Sequence, residues 1–312
     1  MNNQGSYNLN KSLHTLIYSL TGAALTGLLQ FAIAFPTSAQ VTPDNTLGNS
    51  PSVVNNQNIN NLLIEGGVRN NSNLFHSFQE FNINQGQQVY FNNPQNINNI
   101  ITRVTGNNIS NINGTLGVNG AANLFLINPK GLIFGKGSSL DINGSFIGST
   151  AESINFSDGG IFSAVEPNNP ALLKINVPLG LQYGNNPASI QLEQAELQVK
   201  PDKTLVLIGR NVSLNNTTLR AAGGTVQLSG LLSPGTVNLN NLQSFTFPTN
   251  ATLGDVSLTN KSRIDVMDGG GGNIFFDARN FSLNNSDLVD GIEKRAGYSN
   301  AVSGVIIINS TV

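Results

Sequence analysis

The side chains able to do chemistry are few and far apart. In 312 residues there are 17 Asp and Glu, 15 Lys and Arg, two His and no Cys. Without Cys there is no thiol nucleophile, no zinc-thiolate centre and no disulfide. His76 has no Ser–Asp or metal-ligand companion at a useful spacing, so it reads as structural. Asp265, Asp268 and Asp277 flank the run Gly269–Gly272, and calcium favours carboxylates beside glycine turns. Asn273 breaks the Asp spacing that a nonapeptide calcium repeat needs, so no metal is expected. Glu80 and Arg103 could form an ion pair or contact another protein, but they read as solvated surface. A polysaccharide lyase or hydrolase is the rival reading. It needs carboxylates converging on one groove, and here the acids are scattered. The chain reads as non-enzymatic, with no cofactor.

One stretch has a defined geometry instead. Asn128-Pro129-Lys130-Gly131 fits a type I β-turn: Asn at the first position caps the backbone, Pro sets φ at the second, and Gly suits the fourth. Apolar runs flank it, Leu124 to Ile127 and Leu132 to Phe134. Neither alternates polar with apolar, so each is expected to be a strand buried on both faces. The polar tip is expected at the surface.

The elements that hold this turn follow from composition. Asn makes up about one residue in six, Gly numbers 33, and short runs of Val, Ile, Leu, Phe and Thr lie between them. Asn and Gly tolerate positive φ and make turns, and the apolar runs favour strands. The fold class is all-β. A net charge of -2, with 10% charged residues, gives no footprint for nucleic acid. Residues 1–39 read as a signal peptide: polar start, apolar stretch, then Pro36-Thr37-Ser38-Ala39 before a cleavage point. Residues 40–61 are polar and read as a mobile mature N-terminus. Residues 156–200 are irregular and read as an insertion with its own hairpins.

From Thr204 the chain is periodic. A pattern of apolar, any residue, apolar recurs at Val212, Val237, Val256, Phe281 and Ile306, in steps of 25, 19, 25 and 25 residues. Arg210-Asn-Val-Ser-Leu-Asn-Asn-Thr-Thr-Leu219 returns as Arg279-Asn-Phe-Ser-Leu-Asn-Asn-Ser-Asp-Leu288. A period of this length with short strands is that of a parallel β-solenoid, whose coils bury apolar faces by stacking. Asn at equivalent corners can form side-chain ladders.

Four blocks then carry a resemblance. They are Asn73-Leu-Phe-His-Ser-Phe-Gln-Glu-Phe81, Ile100-Ile-Thr-Arg-Val-Thr-Gly106, the stretch Asn123 to Gly135, and Gly144-Ser-Phe-Ile-Gly-Ser-Thr-Ala151. The chain resembles the N-terminal haemagglutination-activity, or two-partner secretion, domain of filamentous haemagglutinin-like exoproteins. The resemblance implies a right-handed parallel β-helix (a pectin-lyase-like solenoid) with an N-terminal cap and extra-helical strands. It implies a secretion domain over 62–203 and shaft coils over 204–312 that continue beyond the C-terminus. It also implies export, via the periplasm, through an outer-membrane transporter partner, a barrel with polypeptide-transport-associated domains. The product would be a secreted or surface-exposed adhesin of a Gram-negative-type cell, with surface glycans of host or neighbouring cells as further partners. The residues implied for the secretion motif are Asn128, Pro129, Lys130 and Gly131 with Asn123, and also Asn93 and Pro94. Lys130 departs from the family's Asn-Pro-Asn-Gly, and Asn93-Pro94-Gln95-Asn96 is a vestige of its Asn-Pro-Asn-Leu.

Overall fold

The computed structural model describes residues 40–168, 177–242, 244–268, 271–290 and 304–310; the expected signal peptide lies outside them. Four strands open the described chain: β1 (Val41–Pro43), β2 (Ser52–Asn58), β3 (Asn61–Gly66) and β4 (Val68–Asn70). Winding begins with β5 (Asn73–Phe81) and β6 (Gln88–Asn92). It continues through β7 (Asn99–Val104), β8 (Ser110–Ile112), β9 (Thr115–Asn119), β10 (Asn123–Ile127), β11 (Leu132–Phe134), β12 (Ser139–Asp141) and β13 (Phe146–Ser149). An excursion follows through β14 (Ser153–Phe156), β15 (Ile161–Ser163) and β16 (Pro178–Tyr183). Winding resumes with β17 (Ile190–Glu193), β18 (Glu196–Gln198), β19 (Thr204–Gly209), β20 (Val212–Asn215), β21 (Thr218–Arg220) and β22 (Thr225–Gly230). A second excursion carries β23 (Gly235–Asn238). The last strands are β24 (Val256–Thr259), β25 (Arg263–Asp265), β26 (Asn273–Ala278), β27 (Phe281–Leu283), β28 (Asp287–Val289) and β29 (Val305–Ser310).

These strands stack into the three faces of a parallel β-helix. The long face is β5-β7-β10-β13-β19-β22-β26-β29, the second β8-β11-β17-β20-β24-β27, and the third β3-β6-β9-β12. In later coils the third face is taken over by a separate ladder, β18-β21-β25-β28. All these pairings are parallel and in register, as at Ile100, Leu124 and Phe146. Twisted strands give such crossovers a right hand.

Stretch 40–61, expected to be mobile, is instead the cap. β1 and β4 run antiparallel along β5, and β2 runs antiparallel along β3. They cover the edges of the first coil, which would otherwise offer unpaired N–H and C=O groups. Its polarity misled because these strands bury little.

The long face is buried twice, so its strands do not alternate. Leu124 and Leu126 point into the lumen with Ile100, Phe146 and Leu205. Phe125 and Ile127 point outward, where β14, β15, β16 and β23 form an antiparallel extra-helical sheet over them. Phe75 meets Phe156 and Phe162 there with ring centroids 5.7 and 5.0 Å apart. The run Leu132 to Phe134 differs from expectation: Leu132 and Phe134 are buried, but Ile133 is half-exposed, because no described strand layers over the second face there.

Two corrections concern periodicity. Val212, Val256 and Phe281 do occupy one ladder. Val237, however, lies in the extra-helical sheet opposite Leu181, and Ile306 lies on the long face beside Ile274. An apolar–x–apolar triplet fits any strand with a buried face, so it does not mark coil position by itself. The excursion also ends earlier than 200: β17 and β18 already pair with β20 and β21.

The Asn excess has two uses. Asn99 donates its amide to Asn73 Oδ1 at 2.9 Å, Asn123 donates to Asn99 Oδ1 at 3.0 Å, and Asn123 Oδ1 accepts the Ser145 N–H at 2.8 Å. This is a ladder running up one corner. At another corner, Gln194, Asn216, Asn260 and Asn285 all take positive φ, at the turns from the second face into the third. Asn tolerates that conformation better than other residues bearing a Cβ.

Candidate functional site

The Asn-Pro-Lys-Gly turn joins β10 to β11, and the backbone N–H of Gly131 closes it onto Asn128 O at 3.0 Å. Asn128 is fully buried. Its Oδ1 accepts the Lys130 N–H at 2.9 Å, and its Nδ2 donates to Asn108 O at 3.0 Å and Ser110 Oγ at 2.9 Å. One amide thus shapes the turn and fastens it to the corner of the preceding coil. Gly131 takes φ +121°, and a Cβ there would lie 3.2 Å from Ser189 O, so Gly is required. Only Pro129, half-buried, and Lys130, exposed, present side chains outward. They wall a pocket of about 160 Å³ together with Thr105 and Asn107 of the preceding corner and Val165 and Pro167 of the extra-helical loop.

The other candidate residues lie elsewhere. Asn123 belongs to the ladder at the opposite end of β10. Asn93 follows β6; with its amide turned to hydrogen-bond, its oxygen accepts the N–H groups of Ala121 and Ala122 at 3.2 Å each. Pro94 is exposed and its carbonyl accepts Ile97 N–H at 3.4 Å. The seven candidate residues therefore occupy two different corners and do not converge. Asn93, Asn123 and Asn128 all spend their side chains on the backbone or side chains of neighbouring coils and turns, which defines coils.

Beneath the pocket is a charged network that reading the sequence as surface missed. Arg103 is 2% exposed. Its Nε donates to Ser77 Oγ at 2.9 Å, Nη1 to Ser163 O at 2.6 Å, and Nη2 to Thr46 Oγ1 at 2.7 Å and Pro167 O at 3.0 Å. The guanidinium carbon lies 4.2 Å from the Phe162 ring centroid, a cation–π contact. Asp44 lies on the far side of the hydroxyls. Thr46, Ser77 and Thr105 donate their O–H groups to it at 2.6, 2.7 and 2.6 Å. The Thr46 and Ser77 hydroxyls each give their one proton to Asp44 and accept from Arg103, so they relay between the two charges. Burial pushes the Asp44 carboxyl up, but the hydroxyls of Thr105, Thr46 and Ser77 outweigh it and hold the carboxyl below its ordinary value. Burial lowers the Arg103 guanidinium to about 10, with Asp44 opposing the drop; it stays charged at neutral pH. Glu80 is not its partner and accepts instead from Asn108 at 2.6 Å. The signal in the sequence was a charge inside an apolar run that does not alternate: Arg103 stands in the outward column of β7, under the extra-helical layer.

His76 is fully buried in the lumen. Its Nδ1 lies 3.1 Å from Ser52 Oγ, and its ring packs on Phe91 with centroids 5.2 Å apart. Burial alone lowers its pKa to about 3, so the ring is neutral and structural. Among the described residues no group of three His, Asp or Glu side chains is placed to hold a metal ion.

A capped parallel β-helix with an antiparallel layer on its long face, and a polar corner turn at the rim of that layer, places the chain among the capped β-solenoids. The chain matches the TPS secretion domain family over residues 39–275 and belongs to it. It is similar to the HMW1 secretion domain from Haemophilus influenzae, at 17% identity and a TM-score of 0.49, over 87% of this chain and 84% of that one. It is also similar to a filamentous hemagglutinin secretion domain, at 14% identity and a TM-score of 0.38, over 86% of this chain and 100% of that one. No curated protein matches it. Membership implies export by a two-partner route, with a transporter in the outer membrane as the partner.

Proposed function

We propose that this chain is an exoprotein whose N-terminal domain directs export, through the periplasm and a dedicated outer-membrane barrel, and whose β-helical shaft serves adhesion. The family match over residues 39–275 carries the export half of this reading. Within it, Pro129 and Lys130 are the partner-contacting residues, while Asn128, Gly131, Asn123 and Asn93 act by shaping coils. The solvent exposure of Lys130 at a pocket rim supports that division. Folding of stacked coils outside the cell supplies a drive without a nucleotide cofactor.

The test is co-expression with the cognate transporter. Lys130→Glu and Pro129→Ala are expected to lower the secreted fraction while the purified domains melt like the wild type. Asn128→Ala is expected to lower secretion together with the melting temperature. Normal secretion of both Lys130→Glu and Pro129→Ala sinks the assignment of the contact.

A further inference from the structure

The outward side of the third face carries a second site. Val89 and Phe91 of β6 are fully buried in the lumen, so Tyr90 between them points out. Its ring lies flat on the neighbouring strand: a methyl group on Gly117 would sit 2.3 Å from Tyr90 Cε1 and 2.4 Å from Cδ1. Gly117 is thus the one residue type that lets the ring lie down. The ring is pinned at its far end, where the Tyr90 hydroxyl donates to Asp141 Oδ2 of β12 at 2.8 Å. That contact spans two strand spacings, about 10 Å. Partial burial, helped by the hydrogen bond to Asp141 and its charge, pushes the phenol up to about 12, so it remains a donor.

No described strand layers over this face, unlike the long one, and Gln88, Asn119 and Asp141 are exposed around the ring. Beside it, Glu65 is held by the Asn55 amide at 2.5 Å and the Asn92 amide at 3.2 Å. The face ends in a cleft. β12 and β18 occupy successive coils without pairing, and between them opens a space of about 300 Å³ lined by Ser139, Leu140, Glu196, Gln198 and Lys200. That volume is at the lower end for small-ligand clefts.

We infer that this face binds a neutral oligosaccharide, stacked on Tyr90 and running past Asp141 into the cleft between β12 and β18. A ring fixed flat with one face outward offers an apolar platform for the C–H face of a pyranose at little conformational cost. Around it are carboxylate and amide acceptors and donors suited to hydroxyls. Asp141, Glu65 and Glu196 outnumber Lys200, so the surface disfavours uronic, sialylated or sulfated chains. The proposal rests on the adhesive half of the reading above and not on export.

The experiment uses the purified secreted chain, titrated with cellotetraose, mannotetraose and lacto-N-tetraose, and with polygalacturonate and heparin as anionic probes. Binding is read by calorimetry and by saturation transfer to the Tyr90 ring. At least one neutral tetrasaccharide is expected to bind. Tyr90→Ala should weaken it by about tenfold or more, and Tyr90→Phe by less, since the platform survives without its pin. Ser282→Ala, exposed on β27 of the second face, should leave binding unchanged. Thermal melts of each variant separate loss of the site from loss of the fold. Absence of binding to all three neutral probes, binding to anionic probes alone, or unchanged affinity in a folded Tyr90→Ala variant overturns the proposal. None of these results bears on secretion, which is assayed separately.

Discussion

The Asp44–Arg103 network gives the sharpest test of how the cap is held. Replacing Arg103 with Leu removes every donor to Ser77, Thr46, Ser163 O and Pro167 O, and leaves Asp44 buried without its compensating charge. Breaking one side of a buried charge pair costs about 3–5 kcal/mol. Asp44→Asn keeps the shape but turns an NH₂ toward hydroxyls that need an acceptor, at about 1–3 kcal/mol. The two positions share Thr46 and Ser77, so the double variant should lose less than the sum, by about 0.5–3 kcal/mol. The assay is a double-mutant cycle in urea followed by circular dichroism. Limited proteolysis of the 44–51 segment would report the cap separately, because coils of a solenoid unfold locally. The pH dependence has a fixed sign. The Asp44 carboxyl is lowered on folding from an ordinary value of 3.8, so its stabilisation is present above that value and lost as pH falls through the folded one. The gap between wild type and Asp44→Asn should therefore close below about pH 4. An Arg103→Leu variant within about 1 kcal/mol of wild type, or strictly additive with Asp44→Asn, would refute the reasoning.

Other predictions follow from the same geometry. Asn128→Ala should cost about 1–3 kcal/mol in urea melts, since it strands Asn108 O and the Lys130 N–H, whereas Lys130→Ala should stay within about 0.5 kcal/mol of wild type. Gly131→Ala should destabilise by about 1–3 kcal/mol, because φ +121° strains any residue with a Cβ. His76 takes up a proton on unfolding at any pH between its folded value of about 3 and its ordinary 6.5. Stability should then fall as pH drops through that window, and His76→Gln should remove this part of the slope in pH-dependent urea melts. Asn99→Ala interrupts the ladder between Asn73 and Asn123, and faster amide exchange in β7 and β10 is the expected readout.

Much of the architecture was legible in the residues. Runs without alternation announced strands buried on both faces, and Leu124 to Ile127 is so buried. The Asn excess announced turns and a ladder, and both exist. The turn at Asn128–Gly131 was readable because Asn, Pro and Gly act within four residues, through their own backbones. What failed depended on partners distant in sequence. The polar stretch 40–61 became a cap because the first coil has edges to cover, and no local property of Val41 or Ser52 states that. Arg103 looked like surface because its four acceptors come from the 46, 77, 163 and 167 regions. The shared apolar–x–apolar pattern of Val212, Val237 and Val256 concealed that Val237 belongs to another sheet, since pairing is chosen by register and not by pattern. Likewise, Tyr90, Gly117 and Asp141 are a site only once stacking has set three coils side by side. Sequence alone determined the strands, the corners and the turn, because those are local choices of φ, ψ and burial. The tertiary structure decided which charges are buried, which face is left open and which residues meet, because each of those depends on contacts between coils.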